Sequence, residues 1–149
     1  MTRLMFLKFG ITWFSLCFSM CCVGQIGNAD RNIIVVANID VAGIVLSKQQ
    51  VKSLFMGSSV GYNFDVATLP PSSLVRVNFN TLIIGLTEDR IQSFWAQMRF
   101  TGRKTQPKQI TSVESLLEYV KSTPGAVTYL PASITLPDNL KILYTTVSL

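Results

Sequence analysis

Ser72-Ser73-Leu74-Val75-Arg76 is the stretch whose residue types are best suited to recognising another molecule. It opens a helical run. A helix N-terminus carries backbone N–H groups without intrahelical partners and the positive end of the helix dipole, so it attracts anions. Serine hydroxyls beside such an end add donors, which makes Ser72 and Ser73 candidate ligands for phosphate or a related oxyanion. Arg76 falls in the first turn, where the same field disfavours a cation by about 0.3–1 kcal/mol unless something negative sits beside it. A bound oxyanion would supply that negative charge and could accept two parallel hydrogen bonds from the guanidinium. An acidic side chain such as Asp65, or plain solvent, would answer the same need, and residue type alone leaves these alternatives open.

Other chemistry is poorly provided for. The chain has no histidine, and its three cysteines, Cys17, Cys21 and Cys22, lie near the N-terminus. The usual general base, thiol nucleophile and zinc ligand sets are therefore missing from the rest of the chain. No Ser-x-x-Lys spacing occurs that would suggest a serine–lysine pair. Glu114 and Glu118 share a helix face but have no further ligands near them in sequence, so they read as a cap residue and a solvated charge. The expectation is a protein that is not an enzyme, with no catalytic residue, metal or cofactor.

Arg99, Arg103, Lys104 and Lys108 form the densest basic stretch. They could widen an anion funnel, meet an acidic partner, or simply solvate a loop. Runs of Lys and Arg interleaved with aromatics are lacking, which argues against nucleic acid as a partner.

The first 29 residues read as a targeting segment. Arg3 and Lys8 precede an uncharged run from Phe9 to Val23, followed by Gly27 and Ala29 in a small-x-small arrangement. Cleavage after Ala29 is expected. The alternatives are a retained anchor, for which the run falls short of the ~18 apolar residues a spanning helix needs, and a lipoprotein, for which the residues before Cys21 and Cys22 do not fit. Residues 30–149 would then form one exported domain without cysteine, dependent on its core alone. Removing Arg3 and Lys8 from the 13 basic residues leaves 11 against 8 acidic ones, a net charge of +3.

The elements that must position the candidate site follow from periodicity. Asn32–Ala37 is apolar after its first residue and β-branched from Ile33 to Val36, the pattern of a strand covered on both faces, implying a parallel or mixed sheet. Ser47-Lys48-Gln49-Gln50 gives a capping box, with Val51, Leu54 and Phe55 as the buried stripe of a helix stopped by Gly57. Asp65–Leu69 reads as a strand. A helix from Leu74 is ended or interrupted by Gly85, and Thr87-Glu88-Asp89 opens another with two carboxylates at its positive end. On that helix Ile91, Phe94, Trp95 and Met98 repeat at core spacing. Thr101–Lys108 reads as a loop. Thr111-Ser112-Val113-Glu114 suggests a second capping box before Leu116, Leu117 and Val120. Thr123-Pro124-Gly125 ends that helix, and strands are expected at Ala126–Leu130 and Lys141–Tyr144. The alternation indicates an α/β sandwich with helices on both faces of a small sheet.

The order of Leu54-Phe55-Met56-Gly57, then Ser73, Arg76 and Phe79, then Phe94-Trp95-Ala96-Gln97-Met98-Arg99-Phe100-Thr101-Gly102, Pro107, and Thr123-Pro124-Gly125-Ala126-Val127-Thr128-Tyr129 resembles the phosphate-type substrate-binding proteins of bacterial ABC transporters. The resemblance spans residues 33–143. It implies a three-layer α/β sandwich of the type II periplasmic binding protein-like kind, truncated relative to two-lobed members. It also implies that Ser73 and Arg76 stand where the family places a phosphate-holding serine and an arginine, and that Phe79 matches a helix phenylalanine. Leu74 and Val75 depart from the family's glycine and threonine, which removes a hydroxyl donor; Thr128 departs from glycine. The implied function is binding of phosphate or a similar oxyanion in the periplasm, with a membrane permease or other envelope protein as partner. A module that kept the fold and serves protein interaction or sensing is the alternative.

Overall fold

The computed structural model describes residues 31–41 and 43–147; the expected targeting segment and the three cysteines lie outside the described residues. The described chain forms a five-stranded mixed sheet and four α-helices. The strands are β1 (Ile33–Ala37), β2 (Asp65–Thr68), β3 (Lys108–Gln109), β4 (Ala126–Pro131) and β5 (Lys141–Thr145). They are ordered β3-β2-β4-β1-β5. β1 runs antiparallel to β4, with Ile33 opposite Pro131 and Ala37 opposite Val127, and antiparallel to β5 with a register shift between Val35 and Val36. β2 runs parallel to both β4 and β3. The apolar run of β1 has its explanation here, since every residue of it is buried between two neighbouring strands.

Helix α1 (Lys48–Phe55) starts at the capping box read from sequence. The Ser47 hydroxyl accepts from the Gln50 N–H, and the Gln50 side chain accepts from the Ser47 N–H. It stops in a Schellman turn. Ser58 N–H bonds to Ser53 O, Gly57 N–H bonds to Leu54 O, and Gly57 sits at φ 77°. Val51, Leu54 and Phe55 are buried as their spacing requires.

Helix α2 (Leu74–Phe79) runs without a break into a π-helical turn, Asn80–Ile84, which the periodicity does not disclose. The turn closes with an N–H···O bond from Gly85 to Asn80, and Gly85 adopts φ 68° to end it. Helix α3 (Glu88–Phe100) buries Ile91 and Trp95, with Phe94 and Met98 partly buried against the core.

Two local expectations change. The loop expected over Thr101–Lys108 gives way at Lys108 to β3, whose two residues are too few for a period to show. Helix α4 (Val113–Ser122) is capped by Ser112 rather than Thr111. The Ser112 hydroxyl accepts from Ser115 N–H, so the expected box with Glu114 is replaced by a cap one residue later. Both Thr111 and Ser112 are cap formers, and tertiary docking of Leu116 and Val120 selects the register.

The core gathers on the β1–β4 pair. Phe79 stacks on Tyr129 with ring centroids 3.9 Å apart, and Phe55 meets Phe79 edge-on at 4.7 Å. Among the described residues no helix is long and apolar enough to cross a membrane.

Candidate anion site at the carboxyl edge of the parallel strands

Because β2 and β3 are parallel, their carboxyl ends open on the same edge of the sheet. β2 continues through Leu69-Pro70-Pro71 to Ser72, Ser73 and the start of α2; β3 continues through Ile110 and Thr111 to Ser112 and the start of α4. In open α/β sheets such an edge, with helix N-termini around it, is the place where ligands bind.

The prolines shape the turn before α2. Ser73 N–H donates to Pro70 O at 3.0 Å, and the helical ladder begins with Val77 N–H on Ser73 O at 3.0 Å. The N–H groups of Leu74, Val75 and Arg76 precede that first rung. Ser73 is the N-cap in extended conformation, and its hydroxyl makes no capping bond. Ser72 is exposed and Ser73 half-buried. The expected serines therefore stand at a helix start with hydroxyls not engaged in capping.

Arg76 is placed otherwise. It is only 4% exposed and turns back into the protein. Its Nε donates to Glu88 Oε2 at 2.9 Å and its Nη2 to Glu88 Oε1 at 2.7 Å, a bidentate pair. Its Nη1 donates to Leu69 O at 2.6 Å and Thr68 Oγ1 at 3.2 Å. The guanidinium thus joins the end of β2 to α2 and to the first residue of α3. Of the acidic partners that sequence allows, Glu88 takes the role offered to Asp65, which accepts instead from the Tyr119 hydroxyl.

Glu88 is the residue that sequence reasoning missed. Its position at the start of α3 suggested only a dipole interaction, whereas it also accepts from Asn80 Nδ2 at 2.8 Å and Gln92 Nε2 at 2.6 Å. The π-helical turn brings Asn80 to it. Burial alone would raise the Glu88 carboxyl. The hydrogen bonds from Arg76 and Gln92, the charge of Arg76 and the Asn80 amide outweigh that and hold it below the usual carboxylate range. The one available signal was an arginine in a first turn, which needs a nearby anion.

The strand end is held from a third side by Tyr129. Its hydroxyl lies 2.8 Å from Thr68 Oγ1 and accepts from Leu69 N–H at 3.2 Å; burial pushes the phenol up from its ordinary value. Thr128, next to it in β4, is fully buried, and its hydroxyl donates to Ala67 O at 2.9 Å. That hydroxyl adds a bond between β4 and β2.

The basic stretch divides into separate roles. Lys104 Nζ donates to Met56 O at 3.2 Å and Ser58 Oγ at 3.1 Å, at the negative end of α1. Lys108 Nζ lies 4.2 Å from the Tyr119 ring centroid. Arg99 and Arg103 are exposed. A depression of about 690 Å³, lined by residues from Gly57 to Val66 and by residues 105–108, shares no lining residue with the Ser72–Ser73 turn. Among the described residues no group of three or more His, Cys, Asp or Glu could hold a metal ion. What Ser72, Ser73 and the amides after them can do chemically is donate hydrogen bonds to an anion.

No family model matches the chain, and no curated protein sequence matches it. Among solved structures it is similar to the crystal structure of an ABC-type phosphate transport receptor from Vibrio cholerae. That match has 18% sequence identity and a TM-score of 0.55, over 75% of this chain and 45% of the receptor. The chain spans less than half the length of that receptor. At this identity the likeness establishes fold alone: a mixed α/β chain folded similarly to part of that receptor.

Proposed function

We propose that this chain has a fold of the periplasmic binding protein kind and is a periplasmic, non-enzymatic solute-binding module taking phosphate or a related small oxyanion at Ser72, Ser73 and the amides that open α2. Export through cleavage after Ala29, the three-layer type II arrangement and a permease or other envelope partner belong to the same reading. Arg76 serves it as a positioning residue, holding Leu69 so that the Pro70-Pro71 turn presents the serines. The observation that carries the reading is where the serines stand: a helix start at the carboxyl edge of parallel β2, with the Ser73 hydroxyl not engaged in capping. The similarity to a phosphate transport receptor supports it.

The test is titration calorimetry of the purified protein, freed of anion, with phosphate, sulfate and a neutral solute. Saturable phosphate binding, lost in Ser72→Ala/Ser73→Ala with unchanged thermal stability, is the expected result. Absence of heat and of competition up to about 1 mM phosphate, an affinity weaker than about 4 kcal/mol, overturns it.

A second reading has its own support. The Arg76 fork is spent on Glu88 and Leu69, so the one cation of the turn is committed to the fold. A module that kept the scaffold and works through protein interaction or sensing would look the same, and failure of the titration favours it.

A further inference from the structure

The depression lined by Tyr62, Phe64 and Lys108 shares no residue with the serine turn, and its lining has a distinct chemistry. Its volume, about 690 Å³, is in the range of small-molecule sites, though it is open to solvent. Two charged residues line it, Asp65 and Lys108, and both are held by Tyr119. The Tyr119 hydroxyl donates to Asp65 Oδ2, and the Lys108 ammonium lies 4.2 Å from the Tyr119 ring centroid. The two lining charges oppose each other, and the Lys104 ammonium at the rim is engaged by Met56 O and Ser58 Oγ.

The remaining lining mixes aromatic and uncharged polar groups. Tyr62 and Phe64, two residues apart in an irregular segment, have ring centroids 5.7 Å apart, and Tyr62 is 46% exposed. Between them Asn63 is exposed, and Gln106 also lines the depression. Carboxamides offer a donor and an acceptor within one group, which suits a pair of adjacent hydroxyls. Aromatic rings offer an apolar surface that is rigid and cheap to immobilise. A ligand matching both is uncharged, with hydroxyls at its rim and C–H groups on its faces.

We propose that this depression binds a neutral saccharide of two or three sugar rings, with Tyr62 and Phe64 as the stacking surface and Asn63, Asp65 and Gln106 as hydroxyl partners. The site is separate from the serine turn, so it stands whether or not phosphate binds there.

The probes are maltotriose and triacetylchitotriose, with trigalacturonic acid as the anionic comparison. Each is titrated into the purified full chain and followed by calorimetry and by amide and aromatic NMR shifts. Saturable binding of a neutral trisaccharide near millimolar affinity, about 4 kcal/mol, is expected. Shifts should be confined to residues 58–66 and 105–108, and 1 mM phosphate should leave them unchanged. Tyr62→Ala should weaken binding at least about tenfold, equivalent to about 1.4 kcal/mol, while Tyr62→Phe, which keeps the ring, restores it. Tyr62 is half-exposed, so neither variant threatens the fold. No saturable shift from either neutral sugar up to about 20 mM overturns the proposal. Tighter, salt-sensitive binding of the anionic sugar also overturns it, by showing that the lining selects charge.

Discussion

Replacing Arg76 by alanine tests whether this arginine belongs to the fold. The Arg76 side chain is 5% exposed and that of Glu88 26%. Without the guanidinium, Glu88 keeps Asn80 and Gln92 as donors but loses its countercharge, and Leu69 O loses a 2.6 Å donor. Removing one partner of a buried ion pair costs about 3–5 kcal/mol. Water reaching the partly exposed Glu88 carboxylate puts this case at the low end, about 3 kcal/mol. For a domain of this size that corresponds to a fall in Tm of about 12 °C. Urea unfolding followed by circular dichroism measures it, and Arg76→Ala/Glu88→Ala completes a double-mutant cycle with an expected coupling of at least about 1.5 kcal/mol. Arg76→Lys should recover only part of the loss, since a lysine lacks the fork that meets both carboxylate oxygens. A single-mutant cost under about 1 kcal/mol, or coupling near zero, refutes the reasoning. The pH dependence has a definite sign. Glu88 is held below its unfolded value, so its contribution is complete above the ordinary carboxylate range and is lost as pH falls through the lowered folded pKa. That acid limb should be shallower in Arg76→Ala.

Three further outcomes follow from particular contacts. Gly57→Ala combines a left-handed φ of 77° with a Cβ that would lie 3.0 Å from the Trp95 ring and 3.1 Å from the Lys104 side chain, so a loss of at least about 1 kcal/mol is expected in denaturant unfolding. Thr128→Val keeps the shape but removes the donor to Ala67 O, and should lower stability by about 1–2 kcal/mol; an unchanged midpoint would mean that the bond contributes nothing net. Tyr129 has its folded pKa raised above that of the unfolded chain, so its contribution is full below the ordinary phenol pKa and is lost as pH rises towards the raised folded value. Tyr129→Phe should flatten that alkaline limb while lowering stability at neutral pH, as Thr68 and Leu69 lose a partner; spectroscopic titration alongside unfolding curves checks both.

Much of this protein was legible in its residues because those signals are local. β1 announced itself by its apolar β-branched run, α1 by Ser47 and Gln50 three apart, and helix ends by Gly57 and Gly85 at positions that need a left-handed backbone. Ser72 and Ser73 were recognisable as a helix start because cap chemistry is written in adjacent residues. The π-helical turn and two-residue β3 were not legible: one is a distortion inside an apparently helical pattern, and the other is shorter than any period. The role of Arg76 was half-legible, since its need for an anion could be read but not which anion met it. Glu88 is twelve residues away and meets Arg76 only because α2, the π-helical turn and α3 fold the chain back on itself. Local sequence determined most of the elements, the α1 cap and the absence of histidine. Tertiary structure alone decided that the arginine is buried, that β2 and β3 end on one edge, and that Asp65, Lys108 and Tyr119 meet beside an open depression. These depend on contacts between segments far apart in the chain, whose pairing energy is not encoded in any one of them.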